Sequence, residues 1–463
     1  MNSARTTHVL NRLSFGPRPG DRQQVERTGV DAYIQAQLDP ANLPEPTALS
    51  ARLEEFSNLK LSAVELFERH TAPKTESSEA RKNARLQRVH VLQEAEQARL
   101  LRALDSPRQL QEVMVDFWFN HFNVFAGKGL TMLWTGAYEQ TAIRPHALGK
   151  FRDLLGATAK HPAMSFYLDN WRNTDPNSPG AQGRFKGLNE NYARELMELH
   201  TLGVDGGYTQ ADVENLARIL TGWSLVRHQQ PSSDENGPDE SGFVFARARH
   251  APGDKVLLGE TIPGGGIDEG ETALDLLAQH SATARHIGYK LAQYFVADTP
   301  PEGLINQLAD RFSATDGDIR AVLEALFESD EFWQQAHYQR KFKTPYQYLL
   351  SMARAVGLTD LSEERLKRLK GAMNHLGMPL YRCRTPDGYA QVEAAWLSPD
   401  AMVRRVSFAI ATVNQHKAAK PEAEALLETL GEQFSAETLA AIEEAPRSLR
   451  PALILGSPEM MYR

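Results

Sequence analysis

Asn189-Glu190-Asn191-Tyr192-Ala193-Arg194-Glu195-Leu196-Met197-Glu198-Leu199-His200 is the run that decides how this chain is read. It opens beside Gly187 and closes at Gly203, which suits a helix with a glycine stop. At about 100° per residue, Asn191, Glu195 and Glu198 share one narrow stripe, with Arg194 on its edge. Tyr192, Leu196 and Leu199 form the adjacent stripe, which reads as core. Polar groups beside a core stripe are either a buried network or a site.

Helix signals continue on both sides. Thr209 and Asp212 form a capping-box pattern, followed by Val213, Leu216, Ala217 and Leu220 at helical spacing. Glu112 to Val124 is apolar nearly all round and reads as a buried helix. Further helices are expected at 21–38, 47–70, 78–104, 147–168 with a break at His161-Pro162, 269–280, 282–296, 303–313, 317–329, 344–356, 361–375, 399–414, 421–431, 436–443 and 447–454. Ser281 is expected to cap the helix at 282–296. The stretch 78–104 reads as a long solvated helix or hairpin arm. Residues 171–186 read as a loop, and Arg227 to Gly242 as a polar, mobile one. Short strands are plausible only between Phe243 and Gly266. The expected fold is mainly α, a large multi-helix body with few or no short strands. Residues 1–105 would supply N-terminal helices and the charged arm, and 106–463 the main body, the two forming either separate units or one continuous domain.

Composition narrows the function classes. The 463 residues carry a net charge of −8, so no basic excess is available for nucleic-acid phosphates or for anionic membranes. A single cysteine, Cys383, leaves neither a disulfide framework nor a cysteine-rich zinc site within one chain. No apolar run approaches the ~18 residues of a membrane span. Met1 to Pro19 lacks a signal-peptide core, so the default expectation is cytoplasmic, with export left open. Gly264-Gly265-Gly266 lacks the Lys-Ser/Thr of a phosphate loop.

Several blocks resemble the bacterial domain-of-unknown-function 1800 family. They are His8 to Gly20, Trp118-Phe-Asn-His-Phe122, Asn189 to Glu195, His200-Thr-Leu-Gly203, Gly207-Tyr-Thr209 and Leu220-Thr-Gly-Trp223. His250 with Gly253 and Lys255, His280 to Arg285, Trp396 to Pro399 and Gly456 to Glu459 extend the likeness over nearly the whole chain. Residue 281 is Ser where the family commonly shows Pro. The resemblance implies a mostly helical body but no established activity. It also implies that some members are exported and that they are often encoded beside a second family.

The candidate chemistry centres on Glu195 and Glu198. Two carboxylates three apart on a helix approach closely, and one is then pushed to titrate higher. Such a pair suits acid–base catalysis or a divalent metal. Alternatively, Glu190–Arg194 and Arg194–Glu198 form a structural ladder of ion pairs. His121 is the best remote proton carrier or ligand, and Arg194 would tune the acids. His200 lies about 150° round the helix and cannot join them. Asn191, Arg144, Trp118, Trp223, His250 and Lys255 are candidate substrate contacts. Arg144, Arg194, Arg285 and Lys343 stand among apolar helices, as anion clamps or as buried partners of acids.

Three functions fit these residues. The first is a hydrolase on a polar or glycan-like substrate. The second is a metal-dependent oxidoreductase holding a divalent ion with Glu195, Glu198, His121 and His250. The third is a non-catalytic binding or assembly protein with a protein partner.

Overall fold

A computed structural model describes residues 2–71, 77–225, 241–358, 362–415, 422–431 and 433–463. The polar stretch expected to be mobile at 227–242 lies almost wholly outside the described residues. Among these residues the protein is mainly α: twenty-three α-helices and two two-stranded antiparallel sheets. Trp223–Leu225 pairs with Phe243–Phe245, and Lys255–Leu257 with Glu260–Ile262. No described helix is long and apolar enough to cross a membrane.

Glycines and caps decide where helices break. The helix expected at 21–38 is two, Asp21–Thr28 and Val30–Leu38, because Gly29 sits at φ 95° and cannot continue the turn. The helix expected at 47–70 is likewise divided, and Ala63–His70 restarts on a capping box of Ser62 and Glu65. Ser281 is not the cap of Ser281–Phe295; His280 is, with its ring nitrogen accepting from the Ala282 N–H at 3.1 Å. A short helix, Asp330–Trp333, was not anticipated.

Gln109–His121 is buried on every face, as its apolar run requires. Ser78–Asp105 is a single helix, and only its first part is the solvated arm that the sequence suggests. From Val91 onward it enters the core with Ala95, Leu100, Leu101 and Leu104. One hydrophobic cluster joins these residues to Val9, to Trp118 and to Met461.

The decisive run is also not a uniform helix. Asn191–Glu195 is α-helical, and Leu196–His200 widens into a π-turn. The Thr201 hydroxyl donates to the Leu196 carbonyl at 2.6 Å, five residues back, across the wide turn. The wider turn moves Met197 into the core and leaves Leu199 half-buried. A second π-turn, Tyr138–Ile143, carries Glu139. Such turns recur at functional sites.

Candidate active site

The buried wall of the site is the end of Gln109–His121. Trp118 is fully buried, and its indole N–H donates to the Ala147 carbonyl at 3.0 Å. It is a core residue rather than a surface for substrate. The His121 ring lies 6.2 Å from that of His200 and 6.0 Å from that of His286. Its Nε2 is 3.1 Å from the His200 carbonyl. Burial, then the Lys290 charge, holds His121 well below the ordinary imidazole value. Burial likewise brings His200 to about 3. These are neutral rings, so His121 reaches the π-turn as a hydrogen-bonding strut.

On the outer side of that turn stand the acids. Glu195 and Glu198 are half-buried on one side of the segment. Burial, then Glu198 and Asp387, raises the Glu195 carboxyl, while Arg194 pulls the other way. Glu195 takes no hydrogen bond or ion pair from any described residue. Glu198 accepts from the Tyr208 hydroxyl at 3.5 Å. Only half of the expected ion-pair ladder exists. Arg194 pairs with Glu190 at 3.1 Å and donates to Gln210 at 2.9 Å, turning away from Glu198. Asn191 is exposed, and its amide donates to the Leu168 carbonyl at 3.2 Å, outside the acid cluster.

The third side of the site is the loop 381–389, of which sequence reasoning singled out only Cys383. Asn123 donates to the Cys383 and Thr385 carbonyls at 3.2 and 2.8 Å. Asn120 exchanges two bonds with Tyr389, and the Tyr167 hydroxyl donates to the Arg384 carbonyl at 2.7 Å. At Gly388, φ 74°, a Cβ would stand 2.3 Å from the Asn120 carbonyl oxygen. Only glycine fits this approach. The Asn residues flanking His121 therefore hold a loop whose Asp387 acts on Glu195. Asp387 acts electrostatically on Glu195, Lys290, Tyr167 and Cys383. Lys290 is half-buried, lowered by burial, and has no hydrogen bond or ion pair with a described residue. It lies one turn beyond His286, whose ring meets the Leu199 carbonyl at 3.3 Å. The Cys383 thiol is raised by burial and is no thiolate nucleophile. Lys290, Asp387 and Tyr167 carry no motif of their own in the sequence.

Four other candidates lie elsewhere. Arg144 grips Glu112 through both its terminal nitrogens, at 2.5 and 3.0 Å, and reaches Glu139 at 3.4 Å. It is a buried partner rather than a free clamp. Trp223 is buried at the start of its strand, edge-on to Phe243 at 5.1 Å. His250 and Lys255 converge on Glu269, at 3.0 and 2.6 Å. Glu269 also accepts from the Gly265 and Gly266 N–H groups at 2.9 and 3.0 Å. This cluster staples the small sheets to the helix Ile267–Gln279. His250 is thereby committed away from Glu195 and Glu198. Among the described residues no three His, Cys, Asp or Glu side chains are grouped as a metal site would need.

The cluster has a pH signature. Burial alone would raise Glu269, but Lys255, His250 and the two glycine N–H groups together hold it below the ordinary value. A carboxyl lowered on folding stabilises fully above its unfolded value of about 4.3, and that contribution is lost as pH falls through the folded value. Glu269→Gln is expected to cost about 1–3 kcal/mol at pH 7 by leaving Lys255 under-satisfied. Urea titrations from pH 7 to 3 should then show a shallower acid decline than in the wild type. Parallel curves would refute the assignment.

A family model described as "Protein of unknown function (DUF1800)" matches residues 8–462. No curated protein and no solved structure matches the chain. The chain belongs to this family.

Proposed function

We propose, with membership of this family as the premise, that the protein is an enzyme, a hydrolase that cleaves a polar, sugar-like substrate by general acid–base chemistry. The observation that carries this reading is the state of Glu195. Its carboxyl is half-buried, raised by burial and by two acidic neighbours against the weaker pull of Arg194, and has no hydrogen bond or ion pair among the described residues. A structural carboxylate is normally paired or hydrogen-bonded. One left without such a partner and raised toward its protonated form is suited to deliver a proton.

In this scheme Glu195 protonates the leaving oxygen as the C–O bond breaks. Glu198, aligned by the Tyr208 hydroxyl, takes the proton from the attacking water. Lys290 and Asp387 set the charge around the bond being cut. Arg194 tunes the acids through its pair with Glu190. His121, neutral and bonded to the His200 carbonyl, is a positioning residue for the π-turn that carries Glu198.

The test is a panel of chromogenic glycosides and esters assayed between pH 4 and 9. Cleavage of one class with a bell-shaped pH profile is expected. A folded sample that leaves the whole panel intact would move the protein to the binding or assembly class.

A further inference from the structure

The solvated first turns of Ser78–Asp105 carry a charge that the rest of the chain does not. Between Ser78 and His90 stand Arg81, Lys82, Arg85 and Arg88 against one acid, Glu79. Spacings of three and four put Arg81, Lys82, Arg85 and Val89 on one side of the helix, with Leu86 at its edge. All five are exposed, while Ala80 and Ala84 are half-buried on the other side. None of the four cations has a hydrogen bond or ion pair with a described residue. Arg88 is lowered by burial and then by Arg85, and no carboxylate offsets this. On a chain of net charge −8 the arm is a local reversal of sign. The complementary surface belongs to the same chain. From Glu422 to Pro446 the sequence contains no Lys or Arg. The helices Ala423–Leu430 and Ala436–Glu444 expose Glu424, Glu428, Glu437, Glu443 and Glu444, with Leu439 beside them. Of these acids only Glu428 takes a side-chain bond from a described residue, Gln23 at 2.8 Å. No ion pair joins the two surfaces within one copy among the described residues.

We propose that the basic arm of one copy docks on the acidic face of Ala436–Glu444 of a second copy, with Leu86 and Val89 against Leu439. Unpaired charges of opposite sign steer the two surfaces together, and the exposed apolar side chains give the contact a dry centre. Arm on arm would set like charges together, so the arm must meet a different surface of its partner copy. Nucleic acid and anionic membranes are poorer occupants. A chain of net charge −8 is repelled by both at long range, and two apolar side chains are too few to anchor a helix in lipid. One helical stretch covers less than a standard interface, so the association is weak and reversible. The contact is separate from Glu195 and does not depend on the hydrolase reading.

Sedimentation velocity of the full chain tests it, at about 10 mM and about 1 M salt, between which the screening length falls from about 30 to about 3 Å. The average mass is expected to rise with protein concentration at low salt and to return to that of one chain at high salt. Arg81→Glu combined with Arg85→Glu should weaken the association by about tenfold or more, and so should Glu437→Arg combined with Glu443→Arg. An equimolar mixture of the two double variants should associate again, because each then offers the charge that the other lacks. All four positions are exposed, and circular dichroism checks that the variants are folded. If a variant fails to fold, the salt and concentration series on the wild type still decides. A single-chain mass at low salt, association that persists at high salt, a folded arm variant that associates like the wild type, or a mixture that stays dissociated would each overturn the proposal. So would a chain that stays single at low salt yet binds a labelled oligonucleotide or anionic phospholipid vesicles, which would give the arm to that partner instead.

Discussion

Glu195→Gln is expected to lower turnover by about 10²–10⁴-fold, the usual contribution of a positioned proton donor, while the melting temperature at pH 7 stays level or rises. The second half of this result follows from the sign of the perturbation. Burial, Glu198 and Asp387 raise the Glu195 carboxyl. A carboxyl raised on folding is ionised at neutral pH against the preference of the fold, so its charge opposes stability there. Glutamine keeps the shape and removes the repulsion. A purely structural ladder predicts the opposite, because deleting a paired carboxylate strands its partner. Arg194 already faces Glu190 and Gln210 and loses no hydrogen bond or ion pair in the variant. Turnover is read on whichever substrate the panel identifies, and stability by thermal unfolding of the same sample. A clear fall in melting temperature with undiminished turnover would end the catalytic assignment.

Arg99→Met is expected to destabilise the protein by about 3–5 kcal/mol, the cost of breaking a buried ion pair from one side. Arg99 donates to Glu139 at 2.9 Å and to Asp116 at 2.5 Å. All three side chains are buried. The guanidinium also lies 5.2 Å from the ring centres of Phe119, Tyr346 and Tyr381. Burial alone would raise Glu139, yet Arg99 and Arg144 together hold it below the ordinary value. Methionine fills the volume but leaves Asp116 without its cation and Glu139 dependent on Arg144 and the Tyr381 hydroxyl. The effect should reach the candidate site as well. Tyr381 opens the loop that carries Asp387, and the Ala126 N–H holds its carbonyl at 3.0 Å. Denaturant midpoints measure the stability loss, and protease cleavage within 381–389 measures the loosened loop. A shift below about 1 kcal/mol would mean that the network is dispensable.

The sequence by itself determined the helical class, most helices and the buried character of Gln109–His121, because apolar periodicity and caps are local quantities. It also placed Glu195 and Glu198 on one side of a short segment, since neighbours on a helix need no tertiary information. It did not reveal the π-turn, across which the Thr201 hydroxyl bonds the Leu196 carbonyl. Nor did it reveal that His250 and Lys255 belong to Glu269, or that Arg144 belongs to Glu112. Charges find partners through space, and helical spacing is silent about contacts between separate elements, here 14 to 32 residues apart. Only the tertiary structure brought Asp387 and Tyr167 beside Glu195, and Lys290 beside Asp387 and His121. The reason is physical: the loop bearing Asp387 has no periodicity of its own and takes its shape from Asn120 and Asn123. Those two asparagines read locally as mere interruptions of an apolar helix.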